Sequence, residues 1–91
     1  MAETIIMPKW GLTMEEGTIT EWMVGEDDPV QNGDVLAMVE TEKTQVELTS
    51  PYTGFVARVL IEDGETVPVG TPIMIIAATV DEARQVRATT T

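Results

Sequence analysis

A lysine in a short polar segment is the residue of this chain best suited to covalent chemistry. Lys43 lies in the segment ETEKT at residues 40–44, and Lys9 is the only other lysine among the 91 residues. The chain contains neither histidine nor cysteine, so it lacks the commonest general base, the commonest metal ligand and the thiol nucleophile. Because the sequence also shows no nucleophile–base pair and no phosphate-binding loop, we expect a domain that is not an enzyme by itself.

Two segments that flank Lys43 have the composition of β-strands. Residues 35–39 (VLAMV) and residues 45–49 (QVELT) are rich in apolar and β-branched side chains, and the second segment alternates apolar with polar residues. The polar stretch between them is therefore predicted to be the turn of a β-hairpin. An exposed turn between two rigid strands would offer the amine of Lys43 to another protein at low reorganisation cost.

The sequence repeats itself with a shift of 37 positions. Each half is predicted to be a β unit that cannot bury its apolar face alone, so the two halves should pack face to face around one core. Segments rich in Gly, Pro, Asn and Asp fall between the predicted strands, where turns are needed. The result is a quasi-symmetric all-β sandwich. The matched pairs are Gly17 and Gly54, Ile19 and Val56, Trp22 and Val59, Val24 and Ile61, Val30 and Val67, Gly33 and Gly70, Leu36 and Ile73, and Met38 and Ile75.

The first half contains an insertion that the second half lacks. Nine steps separate Pro8 from Gly17, whereas three separate Pro51 from Gly54, and the six extra residues fall within residues 9–16. A loop inserted in one half of a symmetric scaffold is a natural place for specificity, although a tolerated loop with no binding role is the simpler interpretation.

Composition and charge limit the kinds of partner and the location. The 5 basic and 16 acidic residues give a net charge of −11, which opposes binding to nucleic acids and to anionic membrane surfaces. The longest strongly apolar run, residues 73–78, is far below the roughly 20 residues that span a bilayer. The first residues show no basic, hydrophobic leader, so we expect a soluble, cytoplasmic and most simply bacterial protein.

The chain is long enough for one domain. We assign residues 1–78 to this domain and residues 79–91 to the start of a flexible linker or a disordered tail, with at most one or two helical turns within residues 81–87.

Two further features have simple interpretations. The acidic cluster of residues 26–28 lacks the ligand spacing of a calcium loop and is predicted to be a solvated turn, and Trp22 is predicted to pack on the core or on a half-buried sheet face.

The segment around Lys43 closely resembles the attachment site of lipoyl domains, in which a Glu-Thr-Asp-Lys-Ala type sequence presents the modified lysine. Glu42 and Thr44 replace Asp and Ala here, and both are mild departures. In this family the fold is a flattened β-barrel, a barrel-sandwich hybrid of two four-stranded antiparallel sheets. The resemblance covers about residues 3–78 and includes, in order, residues 7–8, 16–17, 22, 33–36, 40–44, 51–54 and 67–70.

This resemblance implies the N-terminal lipoyl domain of a dihydrolipoyl acyltransferase component of a 2-oxo acid dehydrogenase complex. A lipoyl ligase or lipoyl transferase would attach lipoic acid to Lys43 through an amide. The lipoylated lysine would then shuttle acyl groups and reducing equivalents between a thiamin-diphosphate-dependent decarboxylase, the acyltransferase core and a flavin-containing dihydrolipoyl dehydrogenase. The opening segment MPKWGL (residues 7–12) is similar to transferases of acetoin-cleaving complexes. Pyruvate, 2-oxoglutarate and branched-chain versions remain open.

The resemblance also implies roles for residues near Lys43. The hairpin flank would be read by the lipoyl ligase, or would be an ordinary solvated acidic turn in which the two threonines serve turn hydrogen bonding. In the family the insertion loop lies beside the hairpin and helps the decarboxylase to recognise its carrier, whereas Trp10 could instead cap the edge of the core. The candidate residues are Glu40, Thr41, Glu42 and Thr44 in the hairpin, and Trp10, Leu12, Met14 and Glu15 in the loop.

Two alternatives from the same fold remain. A biotinyl carrier domain presents a lysine at the same hairpin, typically within Ala-Met-Lys-Met, but here Glu42 and Thr44 occupy the positions of both methionines. An unmodified barrel that acts as a structural or adaptor module is the other alternative, and it would gain weight if Lys43 were found unmodified in cells that can lipoylate.

Overall fold

The computed structural model describes residues 2–12, 14–42 and 44–89. Within these residues the chain forms eight β-strands followed by one α-helix. The predicted hairpin is confirmed, because β4 and β5 pair in antiparallel register with Glu40 opposite Gln45. The elements are β1 (Glu3–Ile6), β2 (Glu16–Trp22), β3 (Pro29–Val30), β4 (Val35–Glu40), β5 (Gln45–Thr49), β6 (Gly54–Val59), β7 (Thr66–Pro68), β8 (Pro72–Ala77) and α1 (Val80–Thr89).

The strands form two four-stranded antiparallel sheets, as predicted. One sheet has the order β1-β8-β6-β3 and the other the order β5-β4-β2-β7. The repeat relates β1 to β5, β2 to β6, β3 to β7 and β4 to β8, so it exchanges the two sheets. Each half therefore contributes strands to both sheets, and the expectation of two separate units packed face to face is wrong in this respect. Interleaving lets both halves share the backbone hydrogen bonds of each sheet, which neither half could complete alone.

The core lies between the two sheets and is built from residues at equivalent positions of the repeat. Leu36 and Ile73 are both fully buried, and so are Ile19 and Val56. Full burial of such a side chain contributes about 1.5–3 kcal/mol relative to exposure. Trp22 packs against the edge of this core, and its indole N–H donates to the carbonyl of Ile61 at 3.0 Å, which confirms the predicted half-buried role.

The segment from residue 79 is helical over a longer range than the sequence predicted. Helix α1 covers ten residues and packs against β6 and β8, where Ala83 is fully buried. A variant of the capping box begins the helix: the Thr79 hydroxyl accepts from the Glu82 N–H at 3.1 Å, and the Glu82 carboxylate accepts at 3.0 Å from the N–H of Ala78, the residue before the cap. The division into a domain of residues 1–78 and a linker or tail from residue 79 stays a prediction.

The acidic turn at residues 25–28 is more than a solvated loop. Asp28 closes the turn by accepting from the Gly25 N–H at 2.8 Å, and Arg87 of α1 forms an ion pair with Asp27 at 2.7 Å. Among the described residues no group of three or more His, Cys, Asp and Glu side chains is arranged to hold a metal ion. The same residues include no helix that is both long enough and apolar enough to cross a membrane.

Candidate functional site

The candidate site is the tip of the β4–β5 hairpin. Lys43 itself lies outside the described residues, so the site is built from the residues on either side of it. Thr41 and Thr44 close the turn: the Thr41 N–H and hydroxyl donate to the Thr44 carbonyl at 2.7 and 2.9 Å, and the Thr44 N–H donates to the Thr41 hydroxyl at 3.2 Å. The predicted hydrogen-bonding role of the two threonines is confirmed. These bonds fix both ends of the segment that contains the lysine.

The described residues on either side of the lysine are mostly exposed. Glu40, Glu42 and Thr44 are exposed, while Thr41 is half-buried. An enzyme that modifies an amine here would therefore meet no covering side chain among the described neighbours. A ligase role for the two glutamates stays a prediction.

The insertion loop lies beside this hairpin. The loop and the hairpin form the two walls of a groove of about 770 Å³. The structure therefore brings together all the described residues that the sequence nominated in the two segments. They are Trp10, Leu12, Met14 and Glu15 on the loop side, and Glu40, Thr41, Glu42 and Thr44 on the hairpin side.

Backbone hydrogen bonds hold the base of the insertion loop to the turn that precedes β8. The Met7 N–H donates to the Thr71 carbonyl at 2.8 Å, and the Val69 N–H donates to the Glu15 carbonyl at 2.9 Å. Within the loop, the Met14 N–H donates to the Gly11 carbonyl at 3.1 Å, and the Trp10 N–H lies 3.3 Å from the Met14 sulfur. The loop is therefore anchored at its base and folded on itself.

The four loop candidates differ in how they meet solvent. Leu12 is 95% exposed and Trp10 is 40% exposed, and Glu15 is also exposed. Met14 is half-buried, packs against the core and would lie 3.2 Å from a Cβ at Gly17. Met14 therefore supports the loop from below, whereas Leu12 and Trp10 present apolar surface outward.

Four residues at the floor of the groove were not predicted from the sequence. Gly17, Thr18, Val46 and Thr66 come from three different strands, and the hydroxyls of Thr18 and Thr66 are hydrogen-bonded at 2.7 Å. The repeat in the sequence could have predicted two of them, Gly17 and Thr18. Because the inserted loop rejoins the scaffold at Gly17, strand β2 has to lie under the loop.

The groove is acidic at its rim and apolar in part of its lining. Glu15 and Glu16 line it from the loop side, and Glu40 and Glu42 line it from the hairpin side. Four carboxylates on a domain with a net charge of −11 make the potential at this end strongly negative. The site therefore favours a cationic partner surface over a phosphate or carboxylate ligand.

Two quasi-symmetric four-stranded sheets, with an inserted loop beside the β4–β5 hairpin, define a small antiparallel barrel-sandwich domain. The family model described as "Biotin-requiring enzyme", the biotinyl/lipoyl model, matches residues 3–76. The chain belongs to this biotinyl/lipoyl attachment family.

Curated relatives come from two kinds of protein. The chain is 37% identical over 73 residues to the dihydrolipoyllysine-residue acetyltransferase component of the acetoin cleaving system of Pseudomonas putida, covering 80% of this chain and 20% of the relative. It is 42% identical over 77 residues to the pyruvate dehydrogenase E1 component subunit beta of Rhizobium meliloti, covering 84% of this chain and 17% of the relative. The chain thus spans a fifth or less of the length of these relatives.

A solved structure has the same fold. A single-chain, multi-domain long-chain acyl-CoA carboxylase superposes with a TM-score of 0.70 at 24% sequence identity, over 96% of this chain and 8% of that chain. At this identity the likeness shows the fold alone.

Proposed function

We propose that this chain is a lipoyl carrier domain and that Lys43 bears lipoic acid through an amide of its Nζ. The observation that carries the proposal is the hairpin: the segment ETEKT, which resembles lipoyl attachment sites, lies at the β4–β5 turn of a domain whose family takes cofactors on lysine. The exposed flank of Glu42 and Thr44 leaves room for a lipoyl ligase or lipoyl transferase. When bound, lipoic acid supplies a cyclic disulfide that can accept an acyl group and two electrons.

In this proposal the chain holds and presents the group, and other active sites make and break the bonds. The Thr41–Thr44 hydrogen bonds fix the mount, and the paired strands behind it keep its direction constant. A flexible connection to a larger assembly would raise the effective concentration of the group at each partner site to roughly millimolar. The partners we propose are a thiamin-diphosphate-dependent decarboxylase, an acyltransferase core and dihydrolipoyl dehydrogenase.

The parent chain that we favour is a dihydrolipoyl acyltransferase component, as in the Pseudomonas putida relative. The Rhizobium meliloti relative is a pyruvate dehydrogenase E1 component subunit beta, so a lipoyl domain within an E1 component is the second candidate. A bacterial, cytoplasmic location is part of this proposal: both of these relatives come from bacteria, whereas a similar Arabidopsis thaliana acetyltransferase component is named chloroplastic. Acetoin-type and pyruvate-type complexes both remain compatible with these residues.

We assign partner recognition to the exposed part of the insertion loop. Leu12 and Trp10 offer apolar surface next to the hairpin, and Glu15 adds negative charge. A decarboxylase that must reach the tip of the hairpin would also meet this loop, because the two segments share one groove. Met14 is a supporting residue in this proposal, since its side chain packs on the core.

A biotinyl carrier domain is the main alternative, because the family includes both cofactors. The residues that flank Lys43 favour lipoyl, since Glu42 and Thr44 stand where biotinyl sites typically have methionine. An unmodified adaptor barrel is the remaining alternative.

Intact mass spectrometry tests the proposal. The chain is produced in cells supplied with lipoate, alongside the variants Lys43→Arg and Lys9→Arg. We expect a mass gain equal to one lipoyl group in the parent chain and in Lys9→Arg, and no gain in Lys43→Arg. A biotinyl gain would establish the alternative carrier, and an unmodified chain under conditions that lipoylate a known acceptor would support the adaptor.

A further inference from the structure

The outer face of the sheet β1-β8-β6-β3 is apolar where α1 lies on it. Ala57 of β6 and Ala77 of β8 are 0% and 1% exposed, although their side chains do not belong to the core between the sheets. With Ala83 of α1 they form a second buried cluster, against which Phe55, Ile75 and Val86 pack. The domain therefore has three layers at this place rather than two.

The internal repeat provides a control for this face. The positions equivalent to Phe55, Ala57 and Ala77 in the first half are Thr18, Thr20 and Glu40, of which Thr20 and Glu40 are exposed. The inner positions of the same strands remain apolar in both halves. At these three positions only the face that carries the helix is apolar, whereas Met38, the equivalent of Ile75, is apolar in the half without a helix as well. The sequence of the sheet is therefore matched to α1 at Phe55, Ala57 and Ala77.

Arg87 fastens the far end of α1 to the rest of the domain. Its Nη2 lies 2.7 Å from an Asp27 carboxylate oxygen, its Nη1 donates to the Ala57 carbonyl at 3.0 Å, and its Nε lies 4.0 Å from a Glu26 oxygen. The Arg87 side chain is 24% exposed, compared with 43% for Asp27. One guanidinium thus joins the helix, strand β6 and the β2–β3 turn.

Asp27 occupies a backbone conformation that usually requires glycine. Its φ is 73°, and its equivalent in the second half is Gly64, whose φ is 87°. A left-handed conformation is costlier for aspartate than for glycine. The first half therefore keeps a carboxylate at a position where the second half uses the residue that the backbone prefers, and the carboxylate is the group that meets Arg87.

We propose that α1 is a clamped layer of the folded domain rather than the start of a linker, and that the Arg87–Asp27 ion pair is its latch. The rigid body then extends to residue 89 instead of ending near residue 78. For the proposed carrier function, on which this consequence rests, any tether would begin after the helix. Release of the latch and unfolding of α1 would lengthen this tether by ten residues, or up to about 33 Å of extended chain.

Amide hydrogen exchange of the 91-residue chain tests the latch. We expect α1 amides from residue 83 onward to be protected in the parent chain. Arg87→Ala and Asp27→Gly should each lower this protection by about tenfold, while the exchange of core amides such as those of Leu36 and Ile73 stays unchanged. Arg84→Ala is the matched control, because Arg84 is an exposed arginine of the same helix.

The variant Asp27→Gly distinguishes a role of Asp27 in holding α1 from a role only in forming the β2–β3 turn. If Asp27 served only the turn, glycine would relieve its backbone conformation, and the protection of α1 would be unchanged or higher. Such a result would overturn the latch. Exchange of the parent α1 amides at the rate of an unfolded peptide would overturn the clamped layer. Neither measurement depends on lipoylation, so failure here leaves the carrier proposal standing.

Discussion

Gly17 and Gly54 occupy equivalent positions in the two halves but have different neighbours. A Cβ at Gly54 would overlap the backbone carbonyl of Ala77, which is fixed by the pairing of β6 with β8. A Cβ at Gly17 would lie 3.0 Å from the Met7 sulfur, 3.1 Å from a methyl carbon of Val39 and 3.2 Å from the methyl carbon of Met14, all of them side-chain atoms. The same substitution should therefore have different costs at the two positions.

We expect Gly54→Ala to lower the free energy of unfolding by about 3 kcal/mol and Gly17→Ala by about 1 kcal/mol. The backbone of β8 must shift in the first variant, whereas in the second only side-chain atoms must move, by a few tenths of an ångström, and two of the three side chains are flexible methionines. Urea denaturation of both variants measures the difference. Equal costs, or a larger cost at Gly17, would contradict this account of the close approach.

The site residues that the sequence predicted best are those with a local role. The closing of the turn by Thr41 and Thr44 follows from their short hydroxyl side chains and could be predicted without the rest of the fold. The role of Met14 could not, because its burial depends on how the inserted loop returns to β2. The sequence pattern did not distinguish Met14 from the exposed loop residues Leu12 and Trp10. Only the packing of Met14 on the core separates a supporting role from an exposed one.

Helix α1 shows which information the sequence pattern lacked at the level of elements. Its apolar face consists largely of Ala83 and Val86, which is too small to predict a packed helix from periodicity. Two signals were available: the Thr79-x-x-Glu82 capping box and the apolar residues on both faces of β6 and β8. The ion pair of Arg87 with Asp27 joins residues that are distant in the sequence, so only the fold reveals it.

The cap of α1 should respond to pH. The hydrogen bond from the Ala78 N–H lowers the pKa of Glu82 below its ordinary value of 4.5. Because the pKa is lower in the folded state, the cap stabilises the helix fully above pH 4.5 and is lost as the pH falls through the lowered pKa. We expect the helical chemical shifts of residues 80–83 to move toward coil values in this window, followed by NMR from pH 7 to pH 3.

Glu82→Gln is the control for this titration. Glutamine can still accept the hydrogen bond but does not titrate, so the variant should lack the part of the transition that belongs to the cap. Any pH-dependent change that does not involve Glu82 is common to both chains and cancels in the comparison. An identical pH profile in the two chains would show that Glu82 does not hold the cap in solution.

At the scale of the whole molecule, the two halves share one quasi-symmetric scaffold and differ from each other in two places. The first half departs by an inserted loop that forms one wall of the groove beside the hairpin. The second half departs by an apolar outer face covered by α1. In the proposals made above, the first departure serves partner recognition and the second sets where a tether would begin.

The charge of the whole domain predicts how a decarboxylase would meet it. A net charge of −11, with four glutamates around the groove, should steer a cationic partner surface toward the hairpin, whereas exposed Leu12 should act only after contact. We expect kcat/KM for reductive acylation of the lipoylated domain to fall about tenfold between low and physiological ionic strength.

The double variant Glu15→Gln/Glu42→Gln should flatten this salt dependence. Leu12→Ala should lower kcat/KM about fivefold at every ionic strength, and Met23→Ala, at another exposed apolar residue, is its control. A salt response unchanged by the glutamine variant, together with full activity of Leu12→Ala, would remove the groove from partner recognition while leaving Lys43 as the attachment site.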